Sequence, residues 1–205
     1  MNTCVVISNP ESIREENEIA VQLFQLGLQY YHLRKPGMSK DVMERHVLDI
    51  PEEYRSRVIL HEHYDLVQKY NLKGIHITGK TKDKGFEDIY KDQHISISAH
   101  SFKELDELTP VYQYAFLGPV FNSISKQGYK SRISLEEAKM YFSNRKSKIP
   151  VLALGGVHQG NLEQLGEAGF SGFAVLGGIW NEYARTKNIN HVKNIFLAMQ
   201  DYINK

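Results

Sequence analysis

Five of the nine histidines in this chain fall at, or within two residues of, the ends of short apolar runs: His32, His61, His63, His76 and His100. Any one of them alone reads as a hydrogen-bonded structural residue. Five in corresponding places read as a shared rim able to carry protons, because imidazole titrates closest to neutral pH. The same run ends hold Arg34 and Lys35, then Glu62, then Ser123, Ser125 and Lys126 in the stretch YAFLGPVFNSISKQGY, then two glycine pairs, Gly155–Gly156 and Gly177–Gly178.

Each group has its own chemistry. The glycine pairs lie in "LALGGV" and "AVLGGI", each ending a late strand, where the missing side chain lets backbone N–H groups approach a ligand, as phosphate sites between late barrel loops require. Arg34, Lys35 and Lys126 offer cationic contacts to a second anionic group; Lys35 also reads as plain solvated surface. The serines and lysine after Tyr114–Leu117 read either as a solvated loop or as an anion-binding loop at a barrel mouth. Glu62 is a candidate base or divalent-metal ligand, and a lone carboxylate suits magnesium only when substrate phosphates complete the shell. Strand alternation argues against a softer-metal site built from His61, Glu62 and His63.

Eight short runs must position these residues: Thr3–Ser8, Tyr30–Arg34, Val58–His61, Gly74–Ile77, Ile95–Ala99, Tyr114–Leu117, Val151–Leu154 and Gly172–Val175. Most are near-continuously apolar, as parallel strands covered on both faces should be. Helical stretches alternate with them. Ser12 with Glu15, Ser101 with Glu104 and Ser134 with Glu137 fit capping boxes, and Asn161 can cap a helix that Gly169 stops. The segment after Gly74–Ile77 has few apolar residues, so its helix should be short or missing. A single (β/α)8 barrel of parallel strands over residues 1–205 follows, shorter than the usual ~250 residues. An open doubly wound sheet is the alternative, weakened because no G-x-G-x-x-G follows the first strand.

Composition bounds the partners. With 205 residues, 41% of them hydrophobic, the chain can core one domain well. The net charge of +1 leaves no electrostatic footprint for nucleic acid or an anionic membrane. No run reaches membrane-spanning length and no leader pattern opens the chain, so a cytoplasmic protein is expected. The single cysteine, Cys4, cannot form an intramolecular disulfide and sits in an apolar run. Small-molecule phosphates are the expected partners; a homo-oligomer is left open.

In order along nearly the whole chain, "YHLRK" (31–35), "LHEHYDL" (60–66), "GIHIT" (74–78), "SISAHS" (96–101), "FLGPVFNSISKQGY" (116–129), "VLALGGV" (151–157) and "GFAVLGGI" (172–179) resemble the motifs of the thiamine phosphate synthase and TenI family of small (β/α)8 barrels. The synthases of that family join hydroxymethylpyrimidine diphosphate to a thiazole phosphate with magnesium. The resemblance implies that Gly155, Gly156, Gly177 and Gly178 hold the thiazole phosphate and that Arg34, Ser123, Ser125 and Lys126 surround the diphosphate. On this reading Lys126, Arg34, His32 and His61 are the candidate catalytic groups. His76 joins the serines and glycines as substrate-binding, and Glu62 is the metal ligand.

The chain departs from the family pattern in places. The family's glutamine is His32, its second lysine falls on Pro36, its Asn-Asp pair is His61-Glu62, and its second magnesium aspartate falls in Gly79–Lys80–Thr81. TenI-type members isomerise a carboxythiazole phosphate by proton transfer without metal; their catalytic histidine falls on Pro119 here, leaving His32 and His61 as substitutes. A barrel that binds a thiazole or thiamine phosphate without turnover is the third reading.

Overall fold

A computed structural model of the protein describes residues 1–82, 84–122 and 131–203. The first half runs β1 (Thr3–Ile7), α1 (Glu16–Gln25), β2 (Tyr30–Leu33), α2 (Lys40–Leu48), α3 (Glu52–Arg55), β3 (Val58–Leu60), α4 (Asp65–Lys69) and β4 (Gly74–Ile77). The second runs α5 (Phe86–Ile89), β5 (His94–Ala99), α6 (Phe102–Asp106), β6 (Tyr114–Leu117), α7 (Leu135–Asn144), β7 (Val151–Leu154), α8 (Leu162–Glu167), β8 (Gly172–Val175), α9 (Gly177–Thr186) and α10 (Ile189–Ile203). All eight strands pair in parallel in sequence order, and β1 pairs with β8 to close the barrel. The doubly wound alternative is thereby excluded.

Strand alternation divides the core in two. Val6, Tyr31, Leu33, Leu60, Ile75 and Ile97 face outward into the layer between strands and helices, where Leu23, Phe24, Trp180 and Phe196 meet them. Val5, Ile7, Ile59, Tyr114, Phe116, Leu152 and Ala174 form a second cluster inside the barrel. A continuously apolar strand is needed because both faces are dry. The Trp180 indole N–H donates to the Ile7 carbonyl at 2.7 Å, tying α9 to the end of β1.

Local signals were mostly sound. The Ser101 and Ser134 hydroxyls accept from the amides of Glu104 and Glu137 and start α6 and α7. Gly169 follows the end of α8 at φ +90°, and α5 is four residues long. Two expectations fail. Helix α1 begins at Glu16 with no side-chain cap, so Ser12 and Glu15 make no capping box. Asn161 does occupy the N-cap position of α8, but its side chain makes no cap bond there and instead closes a box with His158 over a preceding 3-10 turn, accepting from the His158 amide at 3.0 Å.

Candidate active site

Parallel pairing puts the carboxyl ends of all eight strands at one mouth. Arg34, Glu62, His100, Gly155–Gly156 and Gly177–Gly178 all follow strand ends there. Ser123, Ser125 and Lys126 lie outside the described residues, in the segment that follows β6.

The histidines divide. His32 and His76 are wholly buried and His61 is 6% exposed; their rings occupy the barrel interior instead of standing on the rim. His32 Nδ1 lies 2.9 Å from His61 Nε2, and His32 Nε2 lies 2.5 Å from the Tyr114 hydroxyl. Each nitrogen of His76 meets a serine hydroxyl at 2.8 Å, Ser96 at Nδ1 and Ser98 at Nε2. His94 and Tyr114, neither singled out as a site residue from the sequence, pack below this group with ring centroids 5.0 Å apart and planes tilted by 57°. The other two rim histidines brace loops: His63 meets the Met38 carbonyl at 2.9 Å and His100 faces the Gly118 carbonyl at 3.4 Å.

Burial dominates the titration of these rings. Desolvation, helped by the charge of His94 and Arg34, pulls His76 down to about 3. Desolvation with Lys73 pulls His94 to about 4, and desolvation with neighbouring imidazoles holds His32 and His61 well below the ordinary range. All four are neutral at pH 7, which corrects the expectation of proton carriers poised near neutrality.

A stability prediction follows. The folded-state values lie below the unfolded ~6.5, so the unfolded chain takes up protons that the folded chain refuses. The stabilisation is complete above pH 6.5 and is lost as pH falls, at about 1.4 kcal/mol per pH unit for each such ring. The melting temperature should therefore drop steadily from pH 7 to pH 5 in calorimetry; a flat profile would mean the rings ionise inside the fold.

Arg34 and Lys35 separate in the same way. The Ser8 hydroxyl accepts from the Arg34 amide at 2.8 Å and donates to the Arg34 carbonyl at 3.0 Å, fixing its backbone to the end of β1. Its guanidinium, half-buried at the mouth, has no hydrogen-bond or ion-pair partner among the described residues, and its charge reaches His61 and His76. Lys35 points the opposite way. It is completely buried, ion-paired to Glu16, and donates to the carbonyls of Asn9 at 2.7 Å and Glu11 at 3.0 Å. Desolvation raises the Glu16 carboxyl, opposed by Lys35, the Asn9 amide and the Tyr31 hydroxyl. Lys35 is thus neither a ligand cation nor solvated surface.

The glycines have a packing role beyond close approach to a ligand. Gly155 and Gly156 adopt φ +97° and +65°; a Cβ on Gly155 would lie 2.7 Å from that of Pro119, and one on Gly156 2.5 Å from the Asn122 carbonyl oxygen. Their absence of side chain seats the β7 loop against the β6 loop. Gly177 opens α9, where the first helical amides lack intrahelical acceptors. It borders, with Gly178, His158 and Asn181, a groove of about 370 Å³.

Glu62 is half-buried and lines a separate groove of about 390 Å³ with Thr81, Lys84 and Tyr90. The one group of three potential metal ligands among the described residues is His32, His61 and His76; Glu62 lies outside it, and Asp65, which lines the same groove, is ion-paired to Lys40. This donor set suits magnesium only as one carboxylate completed by substrate phosphate oxygens. No helix among the described residues is long and apolar enough to cross a membrane.

Fold and mouth define a (β/α)8 barrel with helix N-terminal amides on one side of the mouth and, on the other, an arginine whose guanidinium is uncommitted among the described residues. Residues 4–179 match the thiamine monophosphate synthase family, and the chain belongs to that family. It is 25% identical over 192 residues to the thiamine-phosphate synthase of Staphylococcus haemolyticus, covering 89% of this chain and 90% of that protein. It is 32% identical over 133 residues to the Clostridium acetobutylicum enzyme of the same name, covering 63% and 62%. Among solved structures, thiamine phosphate pyrophosphorylase from Bacteroides thetaiotaomicron superposes with a TM-score of 0.82 at 30% identity, covering 100% of this chain and 98% of that one.

Proposed function

We propose that this protein is a thiamine-phosphate synthase, a transferase that couples hydroxymethylpyrimidine diphosphate with thiazole phosphate to give thiamine phosphate and diphosphate. The observation that carries this reading is the family match across residues 4–179, in a chain whose curated relatives bear that name. In the reaction the bond from the pyrimidine methylene carbon to diphosphate oxygen breaks and a bond from that carbon to the thiazole nitrogen forms. The electron pair leaves on the diphosphate, so the site must hold growing negative charge.

The residues divide that work. The guanidinium of Arg34, with Ser123, Ser125 and Lys126 from the segment after β6, binds and neutralises the departing diphosphate. The amides at Gly177 and Gly178 take the thiazole phosphate at the N-terminal end of α9, with Gly155 and Gly156 shaping the facing loop. Glu62 would hold a magnesium ion together with diphosphate oxygens, and such an ion supplies charge neutralisation. The neutral His32, His61 and His76 floor the site as hydrogen-bonding groups. Their lowered pKa values disfavour the alternative of a metal-free thiazole tautomerase, whose proton carrier should titrate near the working pH.

The phosphate assignment is tested by Gly177→Val, which places a branched side chain over the amides. Affinity for thiazole phosphate, read by calorimetry, is expected to fall at least about tenfold, the scale of losing one charge-assisted hydrogen bond. Unchanged affinity would put the phosphate elsewhere. Gly156→Val is the poorer probe, since its side chain would strike the β6 loop.

A further inference from the structure

We propose that His32, His61 and His76, the rings that floor the proposed substrate site, form a three-imidazole site inside the barrel for a borderline transition-metal dication of the zinc class, distinct from the carboxylate of Glu62; its test reads metal binding without turnover and so stands apart from the synthase reading.

The geometry is that of a ligand set before its ion. Successive strands β2, β3 and β4 bring the three rings together, and one nitrogen of each lies within 4.8 Å of one nitrogen of each of the others. The ring centroids are 5.1 Å apart for His32–His61, 5.1 Å for His32–His76 and 4.3 Å for His61–His76. Three imidazoles bonded to one ion at ~2.0–2.1 Å, with angles of ~90–110°, place their centroids about 4.5–5.2 Å apart. The centroid spacings nearly match, and the His32 and His61 nitrogens that now share a hydrogen bond at 2.9 Å would turn from each other toward the ion.

The surroundings already do what outer groups do for metal-bound histidines, which need the second ring nitrogen held by a hydrogen bond. Tyr114 holds Nε2 of His32 and leaves Nδ1 facing His61. Ser96 and Ser98 hold the two nitrogens of His76, so either can bind the ion while the other serine keeps the ring oriented. His61 Nδ1 is buried and has no hydrogen-bond partner among the described residues, so His61 is the one ring of the three that no outer group orients. Neutral imidazole is a preferred ligand for zinc, copper, nickel and cobalt, while magnesium prefers oxygen.

Protons balance without an outside acceptor. The proton shared by His32 Nδ1 and His61 Nε2 moves to the far nitrogen of the ring that carries it, and the ion takes the two lone pairs so freed. Three neutral ligands leave the charge of the dication uncancelled, with Arg34 near by. The fourth ligand is therefore an anion, hydroxide or a phosphate oxygen, entering from the mouth.

Metal-stripped full-length protein titrated with Co(II) tests the site. One equivalent should bind and give the intense visible bands of four-coordinate cobalt, and Zn(II) should displace it and raise the melting temperature by several degrees. His61→Asn and His76→Asn should each weaken binding at least about 100-fold, and Tyr114→Phe about 10–100-fold by loss of the orienting hydrogen bond. His94→Asn, outside the trio, should bind like the wild type. A wild-type protein with no saturable site at 100 µM metal would overturn the proposal, and this readout needs no variant to fold. So would stoichiometric binding that survives both substitutions, which would move the ion to surface groups such as His191 with Glu182.

Discussion

Lys35→Ala is expected to destabilise the protein by about 3–5 kcal/mol, because it strands the buried Glu16 carboxylate without its cation. For a chain of this size that is a fall of ~10 °C or more in melting temperature. The lysine also donates to the Asn9 and Glu11 carbonyls, so its loss unties the segment between β1 and α1. Lys35→Met with Glu16→Leu should recover part of the loss, since an apolar pair removes the uncompensated charge. Recovery should stay incomplete, because the Asn9 amide and the Tyr31 hydroxyl also use Glu16. Thermal melts of the two variants beside the wild type check this; a Lys35→Ala protein as stable as wild type would mean the ammonium contributes nothing net.

Arg34→Ala is expected to lower kcat by about 100- to 1,000-fold, the range for removing one preorganised donor from a developing anion. The effect should fall on kcat more than on KM, because negative charge grows as the diphosphate departs. The fold should persist, since the backbone of Arg34 is held by Ser8 and its guanidinium has no internal partner among the described residues. Arg34→Lys should restore only part of the rate, keeping the charge but not the planar fork. Steady-state kinetics decide it, and an unchanged kcat in Arg34→Ala would remove the residue from the diphosphate site.

The barrel was legible because its determinants are local. Eight apolar, β-branched runs separated by helical patterns mark parallel strands covered on both sides, and the poverty of apolar residues after Ile77 foretold the four-residue α5. What the chain hides is the face each residue takes. On β2, Tyr30 and His32 point inward with Arg34 following in the same register, while Tyr31, Leu33 and Lys35 point outward. That parity of two separates Arg34 from Lys35, although the partner of Lys35 lies 19 residues away on α1 and no local signal names it. The same parity on β5 aligns His94, Ser96 and Ser98 behind His76. Read for apolar content alone, β5 conceals this polar lining. Helix α1 starts four residues after Ser12 because Glu16 is drawn inward to Lys35 and the Asn9 amide. The glycine pairs were visible as loops of close approach, but that Gly155 and Gly156 meet Pro119, Phe121 and Asn122 is a tertiary fact.

The central claim is tested most directly by incubating the purified protein with hydroxymethylpyrimidine diphosphate, thiazole phosphate and magnesium, and following thiamine phosphate and diphosphate by chromatography. The account predicts equimolar formation of both products, lost on chelation of magnesium and strongly reduced in Lys126→Ala and Glu62→Gln. No thiamine phosphate from a folded wild-type protein that binds both substrates would contradict it. Magnesium-independent isomerisation of a carboxythiazole phosphate would assign the barrel to the TenI reaction instead.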